Sequence, residues 1–224
     1  MSTLGIIGAG KVGMTIARLA QKAGWDVNLS GSPRQPFQAM IVETLAPGAR
    51  LLPEAEVVAA ADIVIVAIPF NKADEVDWSA LSGKIVVDAM NYWYAVDGTI
   101  DAVEAFPGSN SEFTQARNPE MRLVKSLNHL GYNELESHAG PSGDPLRRAL
   151  SIASDDDAAA ASVAALVDAL GFDPILLPSL AAGRVLEADG PVFGLGLTRS
   201  QMIEILEEAG VTGIESLAPA SSRN

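Results

Sequence analysis

Six residues near the N-terminus, Gly8-Ala9-Gly10-Lys11-Val12-Gly13, constrain this chain more than any other segment. Three glycines at this spacing are a weak signal alone, and context decides their meaning. Here the short apolar run 4–7 leads into them. Apolar residues then recur at Val12, Ile16, Leu19, Ala20 and Ala23, a helical period. Gly24 stands where a helix C-cap glycine belongs, and 25–30 reads as a second strand. Strand, glycine turn, helix and strand make a βαβ unit whose helix start offers unpaired N–H groups and a partial positive charge to a phosphate. In such a unit Gly8 makes the tight turn, Gly10 admits a pyrophosphate close to the backbone, and Gly13 packs helix on strand. Lys11 and Val12 complete the candidate loop. The alternative is a glycine-rich turn with no ligand.

The same alternation continues. A helix is expected over 37–45, stopped by Pro47-Gly48, then a short strand over 49–52 and a helix over 54–60. Residues 62–68 are apolar after the first, as a strand covered on both faces should be, and 84–89 is another such strand. Ser109 and Glu112 have capping-box spacing, so a helix starts there and runs to about Arg117. A sixth strand is expected over 122–127 and a seventh over 149–153. Asp155-Asp156-Asp157 precede a helix striped by Val163, Leu166, Val167 and Leu170 and ended by Gly171. A strand over 174–177 and helices over 181–188 and 199–209 follow, and 218–224 reads as a frayed polar tail. The fold class is α/β, a Rossmann-type doubly wound parallel sheet with a small α/β C-terminal domain. The expected division is 1–121 for the nucleotide domain and 122–224 for the second, whose last helix packs on it or on another subunit.

Composition removes several function classes. The chain has no cysteine, which excludes disulfides, thiolate metal sites and thiol nucleophiles. A net charge of −13 argues against nucleic acid as a partner, and any bound polyanion needs a local positive site. No apolar run is long enough to span a bilayer, so no membrane partner is expected. The N-terminus lacks the pattern of a signal peptide, and the expected location is cytoplasmic. No HExxH, GxSxG or carboxylate cluster with metal spacing occurs, so no metal is assigned.

The nucleotide can be narrowed. Chains selective for NAD place an acid about 20 residues beyond the loop, where it accepts from the ribose 2′-hydroxyl. Between Asp26 and Glu43 this chain has none. Ser30 and Ser32 can donate to a 2′-phosphate and Arg34 can pair with it, so the expected cofactor is NADP(H). Arg34 could equally be a solvated loop residue between Pro33 and Pro36.

Ligands of such sheets sit beyond the carboxyl ends of the strands. That edge should carry Ile68 and Pro69, then Asn91, Tyr92, Trp93 and Tyr94, then Asn128 and His129. Asn91 and Asn128 either hold a polar group of the cofactor or shape turns. Tyr92 and Trp93 are candidates to stack on a substrate ring, with packing beneath the second domain as the alternative. His129 is a candidate proton donor or substrate-orienting group, or a structural histidine, and nothing near it in sequence completes a triad.

With these segments in order, the chain resembles the coenzyme F420-dependent NADP oxidoreductase family over about residues 3–195. The resemblance rests on Gly-Ala-Gly-Lys-Val-Gly at 8–13, Gly-Ser-Pro-Arg at 31–34 and Ala-Asp-Ile-Val-Ile-Val-Ala-Ile-Pro-Phe at 61–70. It continues through Leu-Val-Lys-Ser-Leu-Asn-His at 123–129, Asp-Asp-x-Ala-Ala at 156–160, Leu-Gly-Phe-Asp-Pro at 170–174 and Arg-Val-Leu-Glu at 184–187. It implies hydride transfer between nicotinamide and a second carrier, a deazaflavin in founding members, held in a cleft between two domains. It also implies that Gly8, Gly10, Val12, Gly13, Ser32, Ile68, Pro69 and Asn128 border the cofactor. Three departures are visible: Pro33 occupies the family's arginine position, with Arg34 one residue later, the aromatic segment 91–97 is unlike the family loop, and the C-terminal helix beyond Thr198 extends past the match.

The leading expectation is an NADP(H)-dependent oxidoreductase whose second substrate is coenzyme F420 or a carbonyl, imine or flavin, assembled as a homodimer. Reductases of the 3-hydroxyacid or imine type carry a long all-helical second domain, which the mixed pattern after residue 121 does not match. The alternative from another class is a non-catalytic NADP-sensing or partner-binding module.

Overall fold

The protein is described here by a computed structural model, over residues 2–32 and 37–216. Its strands are β1 (Thr3–Ile7), β2 (Asp26–Ser30), β3 (Arg50–Leu51), β4 (Ile63–Val66), β5 (Ile85–Asp88), β6 (Arg122–Lys125), β7 (Ala149–Ala153), β8 (Asp173–Leu177) and β9 (Glu215–Ser216). The helices are α1 (Lys11–Lys22), α2 (Gln38–Leu45), α3 (Glu54–Ala60), α4 (Tyr94–Asp97), α5 (Asp101–Glu104), α6 (Asn110–Gln115), α7 (Tyr132–His138), α8 (Asp157–Ala169) and α9 (Arg199–Glu208). The sheet order is β3-β2-β1-β4-β5-β6-β7-β8-β9. From β3 to β6 all neighbours are parallel, the order of a Rossmann sheet. β7 turns antiparallel to β6 through the pair Lys125 and Ala153, β8 runs parallel to β7, and β9 closes the edge antiparallel.

The alternation of side chains builds the layers. Leu4 and Ile6 of β1 and Ile63 and Ile65 of β4 face the core shared with α1 and α8. Ile7, Val64 and Val66 face the opposite core, closed by Phe70, Trp78 and Leu81. β4 is buried at all four positions, which suits its β-branched run in a sheet covered on both sides. A third cluster joins β7 and β8 to α9 through Met202 and Leu206, so the last helix packs on its own chain.

Most expected elements form within two residues of their expected ends. The strand read over 62–68 is shorter, because the chain leaves the sheet after Val66 toward Pro69. The helix read over 181–188 is a 3₁₀ segment, Ala181–Leu186, laid against the cluster of β7 and β8. Two further 3₁₀ segments, Phe70–Glu75 and Trp78–Leu81, together with α4, α5, α7 and β9, have no counterpart in the sequence reading. The tail 218–224 lies outside the described residues.

Candidate functional site

The strand order reverses between β1 and β4, and the glycine loop leaves β1 at that point. Gly8 sits at φ +122°, a conformation L side chains rarely adopt, and its N–H donates to Ser30 O at 3.0 Å. A Cβ there would lie 2.3 Å from Ala67 O. At Gly13 a Cβ would lie 1.9 Å from Gly8 O, so the first turn of α1 rests directly on the loop. Gly10 differs. Its φ is −87°, open to any residue, and a Cβ there would meet nothing within 4 Å. It is the N-cap of α1, with no side-chain cap and no acidic residue in the first turn, so the helix start stays electropositive.

A cleft of about 620 Å³ runs along α1 beside Gly10, Lys11 and Tyr132, and the neighbouring walls form three more. One of about 310 Å³ lies between the end of β2 and the segment after β4, lined by Gly8, Ser30, Ser32, Ile68, Pro69 and Lys72, with Glu54 and Glu75 also in its lining. Ser30 is nearly buried. Arg34 lies outside the described residues. The sequence reading named the serines and Ile68-Pro69 but missed Lys72, Glu54 and Glu75.

A second cleft, about 300 Å³, opens beyond β5 and β6 and is lined by Val12, Asn91, Trp93, Asn128, Tyr132 and Phe193, among others. Asn91 Nδ2 donates to Asn128 O at 2.8 Å, and Asn128 Nδ2 donates to Asn91 Oδ1 at 2.9 Å and to Leu186 O at 2.6 Å. This locks the two strand ends to each other and to the 3₁₀ segment at 181–186. Asn128 Oδ1 remains buried without a hydrogen-bond partner. Leu127, between this pair and β6, is held at φ +64°, a strained backbone for a non-glycine residue. Trp93 is half exposed and meets Phe193 edge-on, centroids 6.4 Å apart. Beside this cleft Lys11 reaches Tyr132, its Nζ donating to the hydroxyl at 3.3 Å and sitting 5.1 Å from the ring centre.

The third cleft, about 350 Å³, shares Trp93 with the second. Its charged lining is Glu104, Arg184, Glu187 and Asp189. Glu187 is nearly buried and accepts from Asn110 N at 2.7 Å, and burial raises its carboxyl above the usual range. The Tyr92 hydroxyl donates to Glu104 Oε1 at 2.8 Å, which ties that ring into the wall beside Phe70.

His129 is fully buried, and its Nε2 accepts from Ser151 N at 3.2 Å. Burial and, second, the Lys125 charge push its pKa down to about 3, so the ring is neutral near pH 7. In this conformation it pins β7 and is closed to solvent, and a proton-donor role would require the ring to leave its seat. Beneath the second cleft lies a buried pair, Lys125 and Asp88, 3.5 Å apart and each 1% exposed. Lys125 also donates to Met90 O, and Asp88 accepts from Met90 N and from Ser111 Oγ. The network fixes the backbone just before Asn91. Among the described residues no group of three or more His, Asp or Glu side chains could hold a metal, and no helix is long and apolar enough to cross a membrane.

Residues 3–92 match the family described as NADP oxidoreductase, coenzyme F420-dependent, in agreement with the resemblance read from the motifs. No protein of curated function matches the chain. Among solved structures, a hypothetical protein of Sinorhizobium meliloti is similar with a TM-score of 0.75 and 25% identity, over 89% of this chain and 96% of its own. A proposed F420-dependent NADP-reductase of Arthrobacter sp. FB24 gives 0.69 and 23%, over 89% of this chain and 100% of its own. A reductive aminase of Aspergillus terreus, in complex with NADPH and ethyl levulinate, gives 0.55 and 17%, over 83% of this chain and 58% of its own. These last two likenesses establish a Rossmann-type fold.

Proposed function

We propose that this protein is an NADP(H)-dependent oxidoreductase that moves hydride between nicotinamide and a second carrier or small substrate held beside Trp93. The observation that carries the reading is Gly10. Contacts within the protein explain glycine at 8 and 13, but at 10 the backbone is ordinary and the space outside is open. A pyrophosphate against the uncapped start of α1 supplies the missing reason for that glycine. The family match over residues 3–92 supports the same assignment.

In this reading the N–H groups after Gly10 hold the diphosphate, and the cleft of Ser30, Ser32 and Ile68-Pro69 takes the adenosine end. The Asn91–Asn128 pair borders the nicotinamide, and the orphaned Asn128 Oδ1 is an acceptor suited to a carboxamide N–H. When bound, the cofactor gives or takes hydride at its nicotinamide C4. The chain itself positions the partners, with Trp93 and Phe193 beside the cleft; hydride transfer between two held rings relies mainly on that positioning, whereas a carbonyl or neutral imine also takes a proton, which solvent at the open cleft supplies. The division at 121/122 belongs to this proposal, with the second and third clefts lying between residues from its two sides.

The acceptor is an F420-type deazaflavin or a carbonyl, imine or flavin. The third cleft, with three carboxylates against one arginine, favours a neutral or cationic acceptor over an anionic carrier. We place the protein in the cytoplasm as a homodimer, a contact supported by Met40, Ile41 and Leu45 exposed together on α2. One observation favours the second reading, an NADP sensor without catalysis: the histidine of the nicotinamide cleft is sealed. Incubating the protein with NADPH and, in turn, F420, carbonyls and imines separates the two. Loss of nicotinamide absorbance with one acceptor supports the oxidoreductase. Tight NADPH binding without oxidation by any acceptor supports the sensor.

A further inference from the structure

The adenosine-side cleft holds a charge arrangement that the glycine fingerprint does not anticipate. Lys72 is the cation that lines it among the described residues, and its Nζ donates to Glu75 Oε1 at 3.2 Å, three residues along the same 3₁₀ segment. Both side chains are about half exposed, at 48% and 50%. Exposed pairs of this kind contribute little to stability, so the pair can exchange partners at small cost. Across the cleft stand Ser30 and Ser32, at the end of β2 where the ribose 2′ position of a dinucleotide falls. Glu54, also in the lining, accepts from Asp77 N at 3.0 Å and adds a second carboxylate.

We propose that Lys72 and Glu75 form the selector for the 2′-phosphate. In the free protein Glu75 holds Lys72. A 2′-phosphate, with more charge and more acceptor oxygens than a carboxylate, draws the ammonium away and seats between Lys72 and the serines. NADH has no group that can compete for Lys72, and it meets two carboxylates at no electrostatic gain. Glu75 therefore works against phosphate binding, and Lys72 for it. This proposal rests on the NADP(H) reading and adds the residues that decide it.

The experiment compares NADPH with NADH, and 2′,5′-ADP with 5′-AMP, by titration calorimetry on the full chain, wild type, Lys72→Gln and Glu75→Gln. Thermal melts confirm folding, which these exposed sites should not disturb. The expected result has three parts. Lys72→Gln loses about tenfold in affinity for NADPH and 2′,5′-ADP, Glu75→Gln gains several-fold for both, and NADH and 5′-AMP change less than twofold in either variant. Wild-type preference for NADPH that survives Lys72→Gln would overturn the selector alone. A wild type that prefers NADH would overturn the selector and the choice of NADP(H). A wild type that binds no nucleotide would overturn the functional reading with it.

Discussion

Gly13 and Gly8 touch so closely that one added carbon on Gly13 would sit 1.9 Å from the carbonyl oxygen of Gly8. That contact sets the loop height above the sheet and aims the start of α1 at the cleft. Gly10, two residues beyond Gly8, has no such neighbour. The two glycines should therefore separate on mutation. Gly13→Ala is expected to cost about 3 kcal/mol or more, because backbone must move to admit the methyl group. Gly10→Ala should leave the urea midpoint nearly unchanged. Equal losses in the two variants would show that Gly10 has a packing role the structure does not reveal.

His129 is expected to stay neutral across the physiological range. Its folded pKa is about 3 against an ordinary 6.5, so between those values the unfolded chain takes up a proton that the native chain refuses. Its contribution is thus complete above pH 6.5 and declines as pH falls through the window. Imidazole NMR signals of His129 should not titrate between pH 5 and 8, and His129→Gln should flatten the fall in stability toward acid. A midpoint near 6.5 would return the residue to the list of proton donors.

Asp156 gives a second, more acidic signature. The Arg122 hydrogen bond at 2.7 Å, followed by the Ala159 N–H at the start of α8, lowers its carboxyl to about 2. A depressed carboxyl stabilises above its unfolded value and loses that effect as pH falls from near 3.8 toward 2. Asp156→Asn keeps an oxygen for the cap but gives up the charge. Its unfolding midpoint should vary less with pH in that window than the wild type's, and parallel curves would contradict the assignment.

The Lys125–Asp88 pair should behave as a unit. Lys125→Met leaves a buried carboxylate without its cation and is expected to cost about 3–5 kcal/mol. Adding Asp88→Asn should recover a good part of that loss, because the stranded charge is gone. Losses that simply add would mean that each residue is held by other partners.

Much of this architecture is legible in the chain itself. The loop at 8–13, the apolar run before Pro69 and the capping box at Ser109 are local signals, and each forms where its residues place it. The unread parts depend on distant neighbours. Residues 70–75 carry no helical apolar period, so nothing local marks them as the wall that brings Lys72 to Ser30. Asp88 and Lys125 sit at the ends of adjacent strands, where charges ordinarily meet solvent. They are buried because α6 and the 3₁₀ segment at 181–186 close over them, a consequence of chain far away in sequence. The strand that precedes it marks His129 as an edge residue, but its burial depends on β7, which pairs in the opposite direction.

The central claim is that the start of α1 grips a dinucleotide diphosphate through backbone N–H groups that only a glycine at position 10 leaves reachable. Titration of NADPH into the wild type and Gly10→Ala tests it most directly. The account predicts one site per chain in the wild type and at least tenfold weaker binding in the folded variant. Absence of binding to the wild type, or equal affinity in the two proteins, would contradict it.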